Sequence, residues 1–550
     1  MATENYLSDD ELRLDIQAYI HCGGNRSEAA RQRRMPRKTY TNHLRAAELR
    51  FSIKLGKIAD GRLEPVEYEA KPLPEPGKIS RYIVTSIQNN TILHPGWENL
   101  LCYAEWLDSL PDSSCEVIVG TYTYMLDAYG AKLQERFSNT ESNLWYAPET
   151  HEYICDHRVE LAPGLIFCGE INILPTTQNP LAGMETYNGR KSNIVPAAKL
   201  ALNSVASMPG EGTKMNYTTG TVTQRNYTRR RCGIVSEQFH SYGALLIEVD
   251  HEGRWFVRQL HLGNEGLVYD SGPNGYGPVL IRRGGARAFV RAEAITWGDL
   301  HAADIDPWVQ ECAFGYGGML DTLRPSYSFL HDVFSMRACN PHEANDFHAR
   351  YAKHSKGQDS VEQEVELTAS TINGIVRDFS TTYIVSSNHD RHLSIWLNNA
   401  DPRKDPVNAK YHSILQTALL DIIDSGRSDV SVLEYALRRA GLTNSVKFLH
   451  EGTSFVICKD RGRSVECAMH GDRGVSGTKG STSALAKLGR AINKGHDHTA
   501  SIMDHVYSAG ACSLNFPYQR GPTKSSISHI VTWPDGSRQI VTMWGGKWRA

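Results

Sequence analysis

The chain has 550 residues, 40% of them hydrophobic and 22% charged, with a formal net charge of −2. These values exclude a disordered chain and a polycation, so any nucleic-acid contact has to come from local patches. The 11 cysteines are scattered and form no C-x-x-C pair, which argues against a disulfide framework and a zinc finger; the polar start after Met1 and the lack of any run of ~18 apolar residues argue against a signal peptide and a membrane span. A reduced, cytoplasmic protein is expected.

Residues 8–56 read as helical and basic. Ser8 followed by Glu11 is a capping pattern for a first helix. HCGGN breaks it, RSEAARQRR starts a second at Ser27, and after the turn Met35-Pro36-Arg37 a third runs through KTYTNHLRAAELRFSIKL. Between Arg26 and Lys57 there are ten Lys/Arg against two acids, Glu28 and Glu48. Such a segment either grips a nucleic-acid backbone or docks on an acidic protein surface; charge and turn together favour DNA. Residues 58–78 are rich in proline and acids and read as a linker.

From residue 79 the periodicity changes. RYIVTS, the helical WENLLCYAEWLDSL and CEVIVGTYTY make a βαβ unit, followed by strands at LIFCGEINIL and YGALLIEVD and the hairpin-like RWFVRQLHL. TTGTVTQRNYTRRRCG ends in cations, Arg229 to Arg231, and reads as a phosphate-contacting loop or a solvated turn. From about 291 the pattern is again α/β: a strand before WGDLH, a strand–loop–helix in TTYIVSSNHDRHLSIWL, two amphipathic helices, and short strands at VKFL, SFVICKD and SVECAMHGD. SHIVTWPDGSRQIVTMW closes the chain as two strands around Pro534-Asp535-Gly536.

The segment NKGHDHTASI puts His496 and His498 two apart behind a glycine. Alone this is a polar turn or a pair of metal ligands. Working back, His470, then Asn388-His389-Asp390, then Asp332, then Asp299 and His301 each follow an apolar run. Strand-to-loop junctions on one sheet edge are where α/β folds carry their sites.

The series D-x-H, D, N-H-D, H, G-H-x-H resembles the signature of the calcineurin-like metallophosphoesterases over about residues 291–510. That resemblance implies a four-layer αββα domain holding two divalent cations ~4 Å apart, with one shared carboxylate offsetting their repulsion. Carried over motif by motif, Asp299, His301, Asp332 and His498 would hold one metal, and Asp332, Asn388, His470 and His496 the other. His389 would stay off the metals and stabilise or protonate the leaving oxygen, oriented by Asp390. The pattern departs at the second motif: His331 stands where glycine is usual, and Ser335 where a trailing acid is usual. Ser387 also replaces a glycine, and His392 is an extra histidine that either helps grip phosphate or, the reading favoured, is a helix N-terminal residue. GDRGVSGTKGS lacks the Gly-Lys-Ser/Thr of a phosphate loop and reads as a loop after His470. The mixed donors suit manganese best, with iron, zinc and magnesium left open.

RSEAARQRRMPRKTYTNHLRAAE resembles a Fis/homeodomain-like helix-turn-helix, with Ala29 and Ala30 at the crossing of two helices. It implies that Arg34, Arg37, Lys38, Thr39, Tyr40, Asn42, His43 and Arg45 face DNA. RYIVTSIQNNT, FCGEINILPTTQNPL, YTTGTVTQRNY, SSNHDRHLSIWL and HIVTWPDGSRQIVTMWGGKWRA resemble the DNA-transfer (pre-early DNase) family of T-five-like bacteriophages.

The reading is an α/β protein in four parts. Residues 1–57 are a helix-turn-helix DNA-binding domain, 58–78 a linker, 79–290 a smaller α/β domain of unknown role, and 291–550 the metallophosphoesterase nuclease domain. The expected function is manganese-dependent hydrolysis of DNA phosphodiesters, for host DNA degradation or genome transfer, by a homo-oligomer in the host cytoplasm. Two alternatives stay open: a small-substrate phosphatase or phosphodiesterase, and a DNA-binding regulator with an idle metal domain.

Overall fold

The computed structural model of the protein describes residues 8–22, 25–50, 69–89, 91–124, 146–263, 266–282, 285, 287–427, 430–459, 463–516, 519 and 521–550. They fall into two units, Met1–Glu69 and Ala70–Ala550. No helix among them is long and apolar enough to cross a membrane.

The first unit contains three helices, Asp9–His21, Arg26–Gln32 and Arg37–Arg50. Ser8 caps the first through a reciprocal bond with Glu11, and Asn25 caps the second. Leu12, Ala18, Tyr19, Ala29, Ala30, Tyr40, Leu44 and Ala47 form the small core. Tyr40 corrects the expectation that it faces DNA: it is fully buried, and its hydroxyl donates to the Asp15 carbonyl oxygen at 2.6 Å. His43 is also drawn inward. Its Nδ1 lies 2.8 Å from the carboxylate of Asp15, which Arg33 pairs at 2.6 Å. A buried acid has to be paired, and here two basic side chains turn in to do it. Arg34, Arg37, Lys38, Thr39, Asn42 and Arg45 are exposed.

The expected linker ends earlier than residue 78. Residues 58–68 lie outside the described residues, but Lys71 is packed down: its N–H donates to the Glu160 carbonyl at 2.9 Å and its Nζ pairs with Glu116 at 3.0 Å.

Among the described residues the strands form four sheets, of eleven, six, four and three strands. The βαβ expectation holds: Ile79–Ile87 pairs in parallel with Ser113–Thr121 across the helix His94–Asp108. The six-stranded sheet has a parallel centre, with Ala294–Thr296, Tyr327–Leu330, Thr381–Val385 and Lys447–Leu449 side by side. The terminal hairpin, Ser528–Thr532 and Arg538–Thr542, completes it. One face of this sheet, with Ile295, Leu330, Ile384 and Val531, packs on the helices Pro307–Phe314, Val361–Ile375, His392–Asn399 and Val432–Arg439. The other, with Phe329, Tyr383 and Val385, packs on Ile457 and Val465 of the eleven-stranded sheet and on Cys467 just past its strand.

That long sheet crosses the domain boundary expected at residue 290. Leu202–Val205 pairs antiparallel with Ser501–Met503, in register Ser501↔Asn203 and Ile502↔Leu202. Residues 158–218 and 456–508 therefore share one sheet within one unit. The strand expected over LIFCGEINIL stops at Cys168. At Gly169 the chain presses against the backbone, where a Cβ would meet the carbonyl oxygens of Cys155 and His157 at 2.5 and 2.7 Å.

Candidate metal centre

Each candidate ligand follows the C-terminal end of a strand. Asp299 and His301 follow Ala294–Thr296, Asp332 follows Tyr327–Leu330, and Asn388 follows Thr381–Val385, three parallel neighbours. On the facing sheet His470 follows Val465–Glu466, and His496 and His498 follow Ala491–Lys494, again parallel. The two parallel sets bring all seven side chains to one place.

The backbone there is held in an uncommon shape. His301, Asp332, His496 and His498 all have positive φ, at 44°, 42°, 75° and 52°. Non-glycine residues seldom adopt this region, and such strain gathers at functional sites. Gly495 explains the glycine before His-x-His: a Cβ there would lie 2.2 Å from Asp299 Oδ1. With only hydrogen at that position, the His496 N–H reaches both Asp299 oxygens at 3.1 and 2.9 Å.

Asp299, His301, Asp332, His470 and His498 are buried, and Asn388 and His496 half-buried. Two groups of donor atoms lie within 4.8 Å of one another: Asp299, His301, Asp332 and His498, and Asp332, His470 and His496. Asp332 belongs to both. In the first group His498 Nε2 is 3.2 Å from Asp299 Oδ2 and 3.2 Å from His301 Nε2. In the second, the Asn388 amide oxygen lies 3.0 Å from both His470 Nε2 and His496 Nδ1. Asp332 Oδ2 sits between the groups, 3.8 Å from His301 Nε2 and 3.3 Å from His470 Nε2.

Charge and protonation suit a cation. Burial pushes the Asp332 carboxyl up, but the charge and contact of His470 outweigh it and hold it well below the usual range. Asp299 is likewise held low, burial being outweighed by His498 and His470. Burial pulls His301 down to about 3, and lowers His496 as well. Ionised carboxylates and a neutral His301 are donor forms a metal requires; His470 differs, because the Asp332 charge and contact outweigh burial and raise it to about 9, so it gives up a proton when a metal binds. Buried His/Asp donors of this kind could hold a metal ion.

No family model matches the chain. Over 485 residues it is 33% identical to Protein A1 of Escherichia phage T5, across 86% of this chain and 83% of that protein. The chain belongs to the Protein A1 family. The phage kinship read from the sequence agrees with this membership, and the chemistry of this family member rests on the geometry of its own cluster.

Several residues around the cluster were not foreseen in these roles. Ser335, the departure from the usual trailing acid, has its Oγ 3.1 Å from His301 Nδ1 and donates to Asp304 Oδ2 at 3.2 Å. Asp304 in turn pairs with Arg337 at 3.1 Å. Asp304, visible in the sequence as the last residue of DLHAAD, thus reaches His301 through a hydroxyl. His331, in the usual glycine position, stacks on His470 with Nδ1 atoms 3.3 Å apart. Asp497, between the two histidines, is bound by fully buried Lys494 at 2.6 Å. Phe516 lies against the His498 ring, and the Gln519 amide is 3.1 Å from His498 Nδ1.

His389 is half-buried beside the cluster. Its N–H donates to Asp332 Oδ1 at 3.3 Å, and its ring centre is 4.8 Å from that of His301 and 4.8 Å from that of His392. Asp390 Oδ1 accepts the Phe334 N–H at 3.2 Å, tying the 388–390 loop to the loop that carries Asp332. Burial and the nearby Asp332 charge push the Asp390 carboxyl up to about 7. His392 opens the helix His392–Asn399, as expected.

Proposed function

We propose that this A1-family protein is a metal-dependent deoxyribonuclease that hydrolyses DNA phosphodiesters in the host cytoplasm. The observation that carries the reading is the sharing of Asp332 by two adjoining donor groups. One buried carboxylate common to two sets is what a pair of divalent cations needs, because a single anion then offsets their mutual repulsion. Asp299, His301, Asp332 and His498 would hold one ion; Asp332, Asn388, His470 and His496 would hold the other. Manganese fits the mixture of carboxylate, amide and imidazole. When bound, such a pair polarises a phosphoryl group and makes water a better nucleophile near neutral pH.

The chain's own residues do the rest. Asp299 accepts the His496 N–H and thereby fixes the loop that presents His496 and His498. Ser335 accepts the His301 Nδ1 proton and leaves the Nε2 lone pair facing the cluster. His389 gives a proton to the leaving oxygen, and Asp390 anchors its loop through Phe334. The helix layer, the six-stranded sheet and the sheet facing it support a calcineurin-like αββα arrangement. In the N-terminal unit we read a helix-turn-helix. Its exposed Arg34, Arg37, Lys38, Thr39, Asn42 and Arg45 would hold DNA.

The test is digestion of linear and closed-circular plasmid with manganese, magnesium or EDTA. The expected outcome is cutting only with metal, no cutting by Asp332→Ala, and a loss of about 10²–10⁴-fold in His389→Ala. Cutting in EDTA, or by Asp332→Ala, would sink the reading.

A further inference from the structure

A cavity of 490 Å³ opens at the other end of the strand that carries the histidine loop. Ala491 lines it, and Gly495 begins that loop, so the cavity lies roughly 13 Å from the cluster at about 3.3 Å per residue. Four arginines line it: Arg225, from the cationic segment 218–233, with Arg463, Arg490 and Arg538. Among the described residues no carboxylate pairs with any of the four.

The two acids in the wall are committed elsewhere. Glu466 accepts from the N–H groups of Phe455 and Ala468, both at 2.9 Å, and from Ser454 Oγ. Asp504 pairs with Lys199. Arg225, Arg463 and Arg490 are exposed, as surface cations usually are. Arg538 is different. It is 6% exposed, lies over the Tyr507 ring at 3.9 Å, and among the described residues bonds neutral oxygens through Nη1, the Ile492 carbonyl at 3.1 Å and Asn493 Oδ1 at 3.2 Å. A buried guanidinium with no counter-charge is costly unless an anion completes it. The local potential is positive enough to act on a neighbour: burial pulls His261, also in the wall, down to about 3, with Arg463 and Arg538 adding to the effect.

We propose that this cavity is a second, metal-independent site for a phosphorylated anion of mononucleotide size. Phosphate is the chemistry favoured, because four arginines lining one space match a multiply charged, many-oxygen anion better than a single carboxylate. The volume falls within the roughly 300–1,000 Å³ of small-molecule pockets.

The test is calorimetric titration of the full chain with dAMP in EDTA, so that no metal offers a competing phosphate site. One saturable site is expected, at least ten-fold weaker in the doubly substituted Arg463→Ala/Arg490→Ala chain, whose changes lie at exposed positions and leave the core intact. Arg538→Gln is expected to weaken it as much, with circular dichroism checking that this buried change leaves the chain folded. Inorganic phosphate should compete, but bind at least five-fold more weakly than dAMP. Absence of saturable binding, or unchanged affinity in the double variant, would overturn the site. Equal affinity for phosphate and dAMP would overturn the nucleotide size. Loss of binding in Arg37→Ala/Lys38→Ala instead would move it to the N-terminal unit and overturn the cavity.

Discussion

Two regions of the large unit bury acids equally well and complete them in opposite ways. In the four-stranded sheet and its surroundings, Glu248 and Asp270 are 0% exposed, and Arg81 and Arg258 lie against them. Arg258 reaches Asp270 and Glu248 at 2.6 Å each, and Arg81 reaches Glu248 at 2.9 Å. Tyr103, Gly272 and Gln539 satisfy the remaining Asp270 lone pairs. Two cations answer two anions, and the network is closed. In the metal centre Asp299 and Asp332 are as deeply buried, yet among the described residues only histidines pair with them. The first region carries its own counter-charge; the second is arranged to receive one. Burial alone therefore does not mark a functional acid; the kind of partner does.

The sharpest way to break this comparison is to remove one member from each region in EDTA. Arg258→Met leaves two carboxylates buried with one arginine, and should cost about 3–5 kcal/mol in urea unfolding. Asp332→Asn keeps the shape and the bond from the His389 N–H, and relieves repulsion with Asp299. It also removes the charge that His470 pairs, so some stability is lost, but less than in Arg258→Met, because a histidine left without its partner can give up its proton and a buried arginine cannot; metal binding is abolished. If the two variants lose equal stability, the regions do not differ in the way described.

A smaller effect is expected in acid. Asp270 is held at about 2, burial being outweighed by Arg258 and its hydrogen bonds, against about 3.9 in an unfolded chain. Its folded value is depressed, so its contribution is complete above about pH 3.9 and is lost as pH falls toward 2. By linkage that contribution is about 2–3 kcal/mol. Unfolding followed from pH 5 to pH 2 should lose this amount more in the wild type than in Asp270→Asn. Parallel curves would show that the closed network gives no such advantage.

The local patterns were legible and the distant pairings were not. Ser8 and Glu11 form the capping box the sequence predicts, and the five motifs of the cluster meet as their order suggests, because each is a short strand-end signal. Tyr40 was readable too: with Leu44 and Ala47 it forms an i, i+4, i+7 stripe, which marks a helix face turned to the core. The pairing of Leu202–Val205 with Ser501–Met503 was hidden, since these strands are short, and nothing local names a partner some 300 residues away. The arginine cavity was hidden for the same reason, its walls coming from segments around 225, 463, 490 and 538.

The smallest effect concerns the departure at Ser335. If the open region works through correctly turned imidazoles, the hydroxyl between His301 and Asp304 matters although it touches no donor oxygen of the cluster. Ser335→Ala removes the acceptor at His301 Nδ1 and the donor to Asp304 Oδ2, leaving Arg337 on the other oxygen of a carboxyl that burial already pushes up. The ring can then turn, or carry its proton on the face that should bind. Loss of such a supporting bond weakens metal binding by about 10–100-fold. Ser335→Thr, which keeps the hydroxyl, should recover most of it. A manganese titration of the three chains checks this. Equal affinity in wild type and Ser335→Ala would mean that His301 is held by packing against His389, His498 and Phe516 alone, and that Asp304 serves the fold and not the centre.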